Sequence, residues 1–245
     1  MNINPDRPRG IYLLPNLFTI SSIFLGFYAI TLAFYGNFFL ASMMVFIAML
    51  MDSLDGRVAR LTNTMSAFGE QFDSMADMVS FALAPAVIAY TWGLHSLGKF
   101  GWVVAFIYVA AVALRLARFN TQIAGSGKRY FQGLPCPSGA ANVVGLVWIC
   151  ENLALDPEHI TIAFAFLTLF SALLMVSNVR YRSFKDFDLK SHINFIFVLC
   201  LVLIVALIVL KPDWVLFSFF FGYTISGPII TLWGLRKKQQ QRQQG

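Results

Sequence analysis

The sequence predicts an all-α, polytopic membrane protein with eight spanning helices and both termini on the cytoplasmic side. Three observations carry this. The chain has 245 residues, of which 58% are hydrophobic and 12% charged, with 25 Phe and a mean hydropathy of +0.69; a soluble domain of this size cannot bury that much apolar surface. Eight apolar runs approach the ~20 residues that a spanning helix needs. Finally, of the 18 Lys and Arg, all but Lys99 and Lys211 fall on one side of the resulting topology, and positive charge marks the cytoplasmic face.

Taken in order, the runs are 15–35, 38–60, 70–94, 99–120, 137–151, 159–178, 192–210 and 213–235. The first follows a short basic arm, as a signal peptide would. It is too long for one and lacks a small-x-small cleavage site, so it reads as a retained span. The second ends in the acidic and basic cluster at 52–60, and the third carries a matching pair of carboxylates near its start. The fourth ends with Arg115 and Arg118. The fifth has a short apolar core and begins within Pro135-Cys136-Pro137. Between the spans lie a polar, Pro-containing arm at 1–10, a cytoplasmic loop at 121–136 and a charged loop at 179–191; the Gln-rich stretch 239–245 reads as a disordered tail. No Ser/Gly linker or strong repeat divides the chain, so 1–245 reads as one integral membrane domain.

The net charge of +6 comes mainly from the cytoplasmic rim. Nucleic-acid binding needs a soluble basic domain, and none is present. Attraction to anionic headgroups of membrane lipids accounts for the charge. The three Cys (Cys136, Cys150 and Cys200) are dispersed through apolar segments without metal-ligand spacing, and no disulfide framework is implied.

Four of the 12 acidic residues stand close together, as Asp52, Asp55, Asp73 and Asp77. Ionisable groups at membrane depth are costly and mark function. Asp52 and Asp55 are three apart and share one helix face; Asp73 and Asp77, four apart, share another. A turn between the second and third spans brings the faces together. Four converging carboxylates with no His or Cys make a hard-oxygen site suited to Mg²⁺, Mn²⁺ or Ca²⁺ rather than zinc. Gly56 lets a substrate approach the backbone, Ala59 keeps the same face shallow, and Arg60 suits a phosphate. Together these features fit a diphosphate. A carboxylate free of the metal could take a proton from an attacking hydroxyl. The bland alternative, Asp residues that only cap helices and pair with Arg57 and Arg60, explains one such residue better than four.

Asp52-x2-Asp55-Gly56-x2-Ala59-Arg60-x8-Gly69-x3-Asp73-x3-Asp77 fills all eight fixed positions of the CDP-alcohol phosphotransferase signature, and the chain resembles that family of membrane enzymes. The resemblance implies a six-helix core (about 15–178) with a cytoplasm-facing site, a homodimer, and one or two divalent cations. It implies Asp52, Asp55 and Asp73 as metal and CDP ligands. Asp77 is then the general base and also counts among the metal residues, and Gly56, Ala59, Arg60 and Gly69 line the CDP site. Asn16 and Thr19, in the first span, resemble nucleotide-side residues of the family, although Asn near a helix start is also an ordinary cap.

Three further stretches resemble the membrane-embedded phosphatidylserine synthase branch. They are Ala113-Leu-Arg115-Leu-Ala-Arg118-Phe-Asn120, the segment from Tyr130 through Gly133, Pro135 and Pro137, and Val176-Ser-Asn-Val-Arg180-Tyr-Arg182-Ser-Phe-Lys185. Two extra spans (about 192–235) also fit that branch. The implied substrates are CDP-diacylglycerol and L-serine, in the cytoplasmic (inner) membrane. Arg115 and Arg118 are three apart on an apolar helix and can face one cavity, to bind a serine carboxylate or a lipid phosphate; both also suit snorkelling anchors. Asn120 and the carbonyls around Gly133 and Pro135 can accept from an ammonium. Arg180, Arg182 and Lys185 fit either substrate contact or a topology signal. Choline, glycerol 3-phosphate and inositol phosphate remain as rival acceptors. A cation transporter would instead place its carboxylates at the bilayer midplane.

Overall fold

The computed structural model describes residues 13–122, 130–182 and 195–243. The N-terminal arm, Lys185 and the side chains of Arg180 and Arg182 lie outside the described residues. Helices stand at all eight expected positions: α1 (Leu13–Phe34), α2 (Phe38–Leu61), α3 (Ala67–Asp77) continued by α4 (Ala84–Trp92), α5 (Lys99–Gln122), α6 (Cys136–Asn152), α7 (Pro157–Val176), α8 (Phe195–Leu210) and α9 (Pro212–Gln243). Among the described residues, six helical stretches are long and apolar enough to cross a membrane: Leu14–Phe34, Phe38–Leu61, Ala67–Trp92, Lys99–Thr121, Pro157–Val176 and Pro212–Thr231. α6, with 17 residues, and α8, with 16, are shorter.

Two features depart from the sequence reading. The segments expected as irregular loops carry two short strands, β1 (Tyr130–Gln132) and β2 (Arg180–Arg182), paired antiparallel with Phe131 opposite Tyr181. Gly133 extends this ladder by donating its N–H to the Val179 carbonyl at 2.9 Å. Its φ of +82° suits glycine alone, and a Cβ there would strike the Met175 carbonyl. The ladder pairs backbone groups of the segments that lead into α6 and out of α7. The second departure is the Gln-rich tail. α9 continues as helix through Gln243, because Gln, Lys and Arg are good helix formers once a helix is running.

α1 and α2 form a hairpin that turns at Gly36, with φ +74°. Asn37 caps α2 through its side-chain oxygen, which accepts from the Leu40 N–H. α6 is the central helix and packs against α2, α4, α7 and α9. Most of its residues are buried, including Gly139, Ala140, Ala141 and Gly145. Small side chains let neighbouring backbones approach, which is how membrane helices pack without a hydrophobic driving force. Gly26 of α1 does the same where Ser80 crosses it: a Cβ at Gly26 would lie 2.7 Å from Ser80 Oγ. Ser80 in turn donates to the Ser22 carbonyl at 2.8 Å.

Two prolines inside spans leave carbonyls without their helical donors, and in each case a tyrosine supplies one. Pro85 lacks an N–H for the Phe81 carbonyl, which accepts from Tyr108 Oη at 3.0 Å. Pro228 does the same to Thr224, whose carbonyl accepts from Tyr181 Oη at 3.0 Å. Around Pro85 the chain loosens into a π-helical segment, Met78–Leu83, and the Ala84 N–H reaches back to Val79. Such segments are common at functional sites, and this one starts directly after Asp77. Tyr108→Phe should therefore destabilise the protein by about 1–3 kcal/mol, the cost of a buried carbonyl left unpaired. Its thermal unfolding in detergent should shift down; an unchanged midpoint would show that the carbonyl finds another donor.

Candidate active site

α2 and α3 meet through a short turn. Asn63 adopts a left-handed φ of 52°, and Ser66 caps α3 by accepting the Gly69 N–H at 3.0 Å. A Cβ at Gly69 would press on that cap, 3.3 Å from Ser66 Oγ. The turn folds the two carboxylate faces onto each other. One oxygen from each of Asp52, Asp55 and Asp73 lies within 4.8 Å of the others. Asp52 also interacts with Asp77. The group is inset from the helix ends: Asp55 is about 9 Å before the end of α2 at 1.5 Å per residue.

Asp55 is buried and accepts from Thr19 Oγ1 at 2.9 Å. Thr19 also donates to the Pro15 carbonyl, so α1 orients this carboxylate. Asn16 is half-buried, one turn before Thr19. Asp73 Oδ1 and Asp77 Oδ1 are buried with no hydrogen-bond partner. Among the described residues, no Lys or Arg forms a salt bridge with any of the four. Carboxylates brought this close repel unless a proton or a cation sits between them. An all-oxygen donor set with uncompensated charge fits a divalent cation such as Mg²⁺ or Mn²⁺. Asp52, Asp55 and Asp73 would hold it, and Asp77 stands beside that trio.

Gly56 follows Asp55 on α2 and is exposed. A Cβ built there meets nothing within 4 Å, and its φ is not positive. Neither packing nor backbone conformation requires glycine at this position. Ala59 is half-buried and Arg60 is exposed one turn further along the same helix.

The acceptor-side candidates divide. Arg115 donates from Nη1 to Cys136 Sγ at 3.0 Å. Its Nε is buried without a partner, and its charge acts on Asp77. Arg118 instead ties helix ends together: its Nη2 donates to Gln132 Oε1 at 2.6 Å and Asn178 Oδ1 at 2.7 Å, and Nη1 donates to the Val176 carbonyl at 3.4 Å. Asn120 is bonded to Ser74 Oγ at 3.1 Å, which links α5 to the helix of Asp73 and Asp77. The Pro135 carbonyl accepts the Gly139 N–H and starts α6. Thus the fold brings Arg115 to the carboxylates, whereas Arg118, Gly133 and Pro135 hold the β1–β2 end together.

A family model described as CDP-alcohol phosphatidyltransferase matches residues 12–179, which contain every one of these carboxylates. The chain belongs to this family. It is accordingly a transferase of phospholipid biosynthesis with multiple apolar membrane helices. Similar proteins include the CDP-diacylglycerol–serine O-phosphatidyltransferase of Helicobacter pylori strain 26695, 40% identical over 232 residues, covering 94% of this chain and 93% of the relative. Enzymes of the same name from Mycobacterium leprae and Bacillus subtilis are each 33% identical. The first match covers 84% of this chain and 72% of the relative, the second 70% and 91%. The family model ends before β2, whereas the Helicobacter pylori match, with 232 residues, also takes in α8 and most of α9.

Sequence reasoning missed three residues beside this family site: Ser74, Cys136 and Tyr223. Ser74 sits inside the motif and has the spacing of an α3 residue facing α5. Cys136 lies in a segment already singled out, but nothing in the sequence paired it with Arg115. Tyr223 of α9 gave no signal; the fold alone places it where the Arg115 charge acts on it.

Proposed function

We propose that this protein transfers the phosphatidyl group of CDP-diacylglycerol to the hydroxyl of L-serine, giving phosphatidylserine and CMP. The observation that carries this reading is the carboxylate trio with Asp77 beside it, facing an open glycine surface on α2. The names of the relatives support serine as acceptor. CDP-diacylglycerol lies with its acyl chains in the bilayer and its diphosphate over Gly56 and Ala59, where Arg60 binds a phosphate. A divalent cation held by Asp52, Asp55 and Asp73 supplies charge neutralisation of the diphosphate. Thr19 holds Asp55 in its ligand orientation.

Asp77 takes the proton from the serine hydroxyl. The serine oxygen then bonds to the phosphorus that carries diacylglycerol, and the bond from that phosphorus to the CMP oxygen breaks. CMP leaves with the electron pair. No covalent enzyme intermediate is needed for this balance. The chain spans the cytoplasmic membrane eight times with both termini and the site on the cytoplasmic side, and works as a homodimer. The Lys and Arg distribution supports this orientation.

Purified protein given CDP-diacylglycerol, labelled L-serine and Mg²⁺ or Mn²⁺ should form phosphatidylserine and CMP in equal amounts. EDTA should stop the reaction, and added Mn²⁺ should restore it. Product with choline or glycerol 3-phosphate but none with serine would reject the acceptor. Full activity in EDTA would reject the metal role.

A further inference from the structure

α5 runs antiparallel to the stretch that carries Asp73 and Asp77, and hydrogen bonds pin the pair together at two places. At one of them Asn120 Nδ2 donates to Ser74 Oγ at 3.1 Å. The Ser74 hydroxyl has the Glu70 carbonyl, at 3.1 Å, and Asn120 Oδ1, at 3.2 Å, as acceptors. At the other, Tyr108 Oη donates to the Phe81 carbonyl at 3.0 Å. Asp77 lies between Ser74 and Phe81, and Arg115 lies between Tyr108 and Asn120. The carboxylate proposed as base therefore sits inside the pinned section.

Asp77 depends on such a frame more than Asp73 does. Asp73 stands within regular α3 helix, with an oxygen within 4.8 Å of the Asp52 and Asp55 oxygens. A cation shared with those two carboxylates would fix its direction. Asp77 is the last residue of α3, and its Oδ1 has no hydrogen-bond partner. The next 6 residues, Met78–Leu83, are π-helical. Their i→i+5 bonds depart from the 3.6-residue repeat, so α3 before them and α4 after them do not share one register. The direction of Asp77 then depends on what holds the chain on either side of that junction, and those holds are at Ser74 and Phe81.

We propose that Ser74 and Asn120 are positioning residues, whose hydrogen bond aims Asp77 at the acceptor hydroxyl. This rests on Asp77 as the base of the reaction proposed above. Asn120 acts through Ser74 and α3 rather than by touching the substrate. Tyr108 serves the far end of the same frame, but its hydroxyl also answers the carbonyl freed by Pro85. The Ser74 end therefore separates positioning from folding more cleanly. Ser74 and Asn120 are both half-buried, and water can take the place of a partner lost there.

The full-length protein in detergent tests this through Ser74→Ala, Asn120→Ala and the double variant. Each single variant should lower kcat for phosphatidylserine formation about tenfold, within the range for a slight misplacement of reacting groups. The KM for CDP-diacylglycerol, Mn²⁺ binding and the melting temperature should stay at the parent values. Ser74→Thr keeps a hydroxyl and should restore kcat. The double variant should be no slower than the singles, because all three remove the same bond. An unchanged kcat in folded Ser74→Ala overturns the inference. Effects that multiply in the double variant also overturn it and give Asn120 a separate contact with the substrate. Loss of Mn²⁺ binding overturns it too, and makes Asp73 the carboxylate that Ser74 holds. None of these outcomes touches the transfer reaction itself. That reading fails if the parent forms no phosphatidylserine, the base role fails if Asp77→Asn stays active, and the positioning role falls with either.

Discussion

Asp77→Asn should lower transfer to serine by about 10²–10⁴-fold, the contribution typical of a positioned general base, while leaving the folded protein and its cation binding intact. Asp77 sits at the last residue of α3, one step before the π-helical segment, and its Oδ1 is buried without a partner. Asn is isosteric and keeps an oxygen there, so packing changes little. It cannot accept a proton near neutral pH. The trio proposed to hold the cation is Asp52, Asp55 and Asp73, with oxygens within 4.8 Å of one another, so Mn²⁺ binding followed by magnetic resonance should persist. Loss of activity with retained Mn²⁺ binding separates a base from a ligand. Loss of both would make Asp77 a ligand. Activity within a few-fold of the parent would remove Asp77 from the proton transfer.

Gly56→Ala is expected to move stability and activity in opposite directions. Gly56 lies in the interior of α2, where glycine costs about 0.5–1 kcal/mol relative to alanine. The added methyl meets nothing within 4 Å, so the variant should melt at a higher temperature. The same methyl projects onto the surface where the diphosphate is proposed to lie, and the KM for CDP-diacylglycerol should rise. Gly56→Leu should extend this to near-complete loss of transfer with the fold retained. Normal kinetics in the leucine variant would show that the substrate does not cross this face. A lower melting temperature for the alanine variant would show that glycine serves the helix after all.

The carboxylate site was legible because its information is local. Asp52 and Asp55 share a face by helical spacing alone, as do Asp73 and Asp77, and the short turn between α2 and α3 leaves the two faces little choice but to meet. Thr19 was legible only through family resemblance; the fold supplies the reason, its 2.9 Å bond to Asp55. Arg115 and Arg118 were indistinguishable in sequence, three apart on one helix. They separate because Arg118 reaches Gln132 and Asn178 at the helix ends, whereas Arg115, one turn deeper, meets Cys136.

Hydropathy and periodicity by themselves determined that the chain is a bundle of apolar helices, since backbone groups in a membrane must be satisfied within each helix. The motif spacing determined which carboxylates would converge. Only the tertiary structure decided what surrounds them. The Tyr108 and Tyr181 hydroxyls answer carbonyls freed by Pro85 and Pro228, and Gly227 admits the Tyr181 ring. α9 then carries Tyr223 onto Tyr181. Each of these contacts joins residues far apart in the chain, and depends on where a backbone is open or a side chain absent. Local pattern carries no record of such complementarity, because it exists only once the helices have packed.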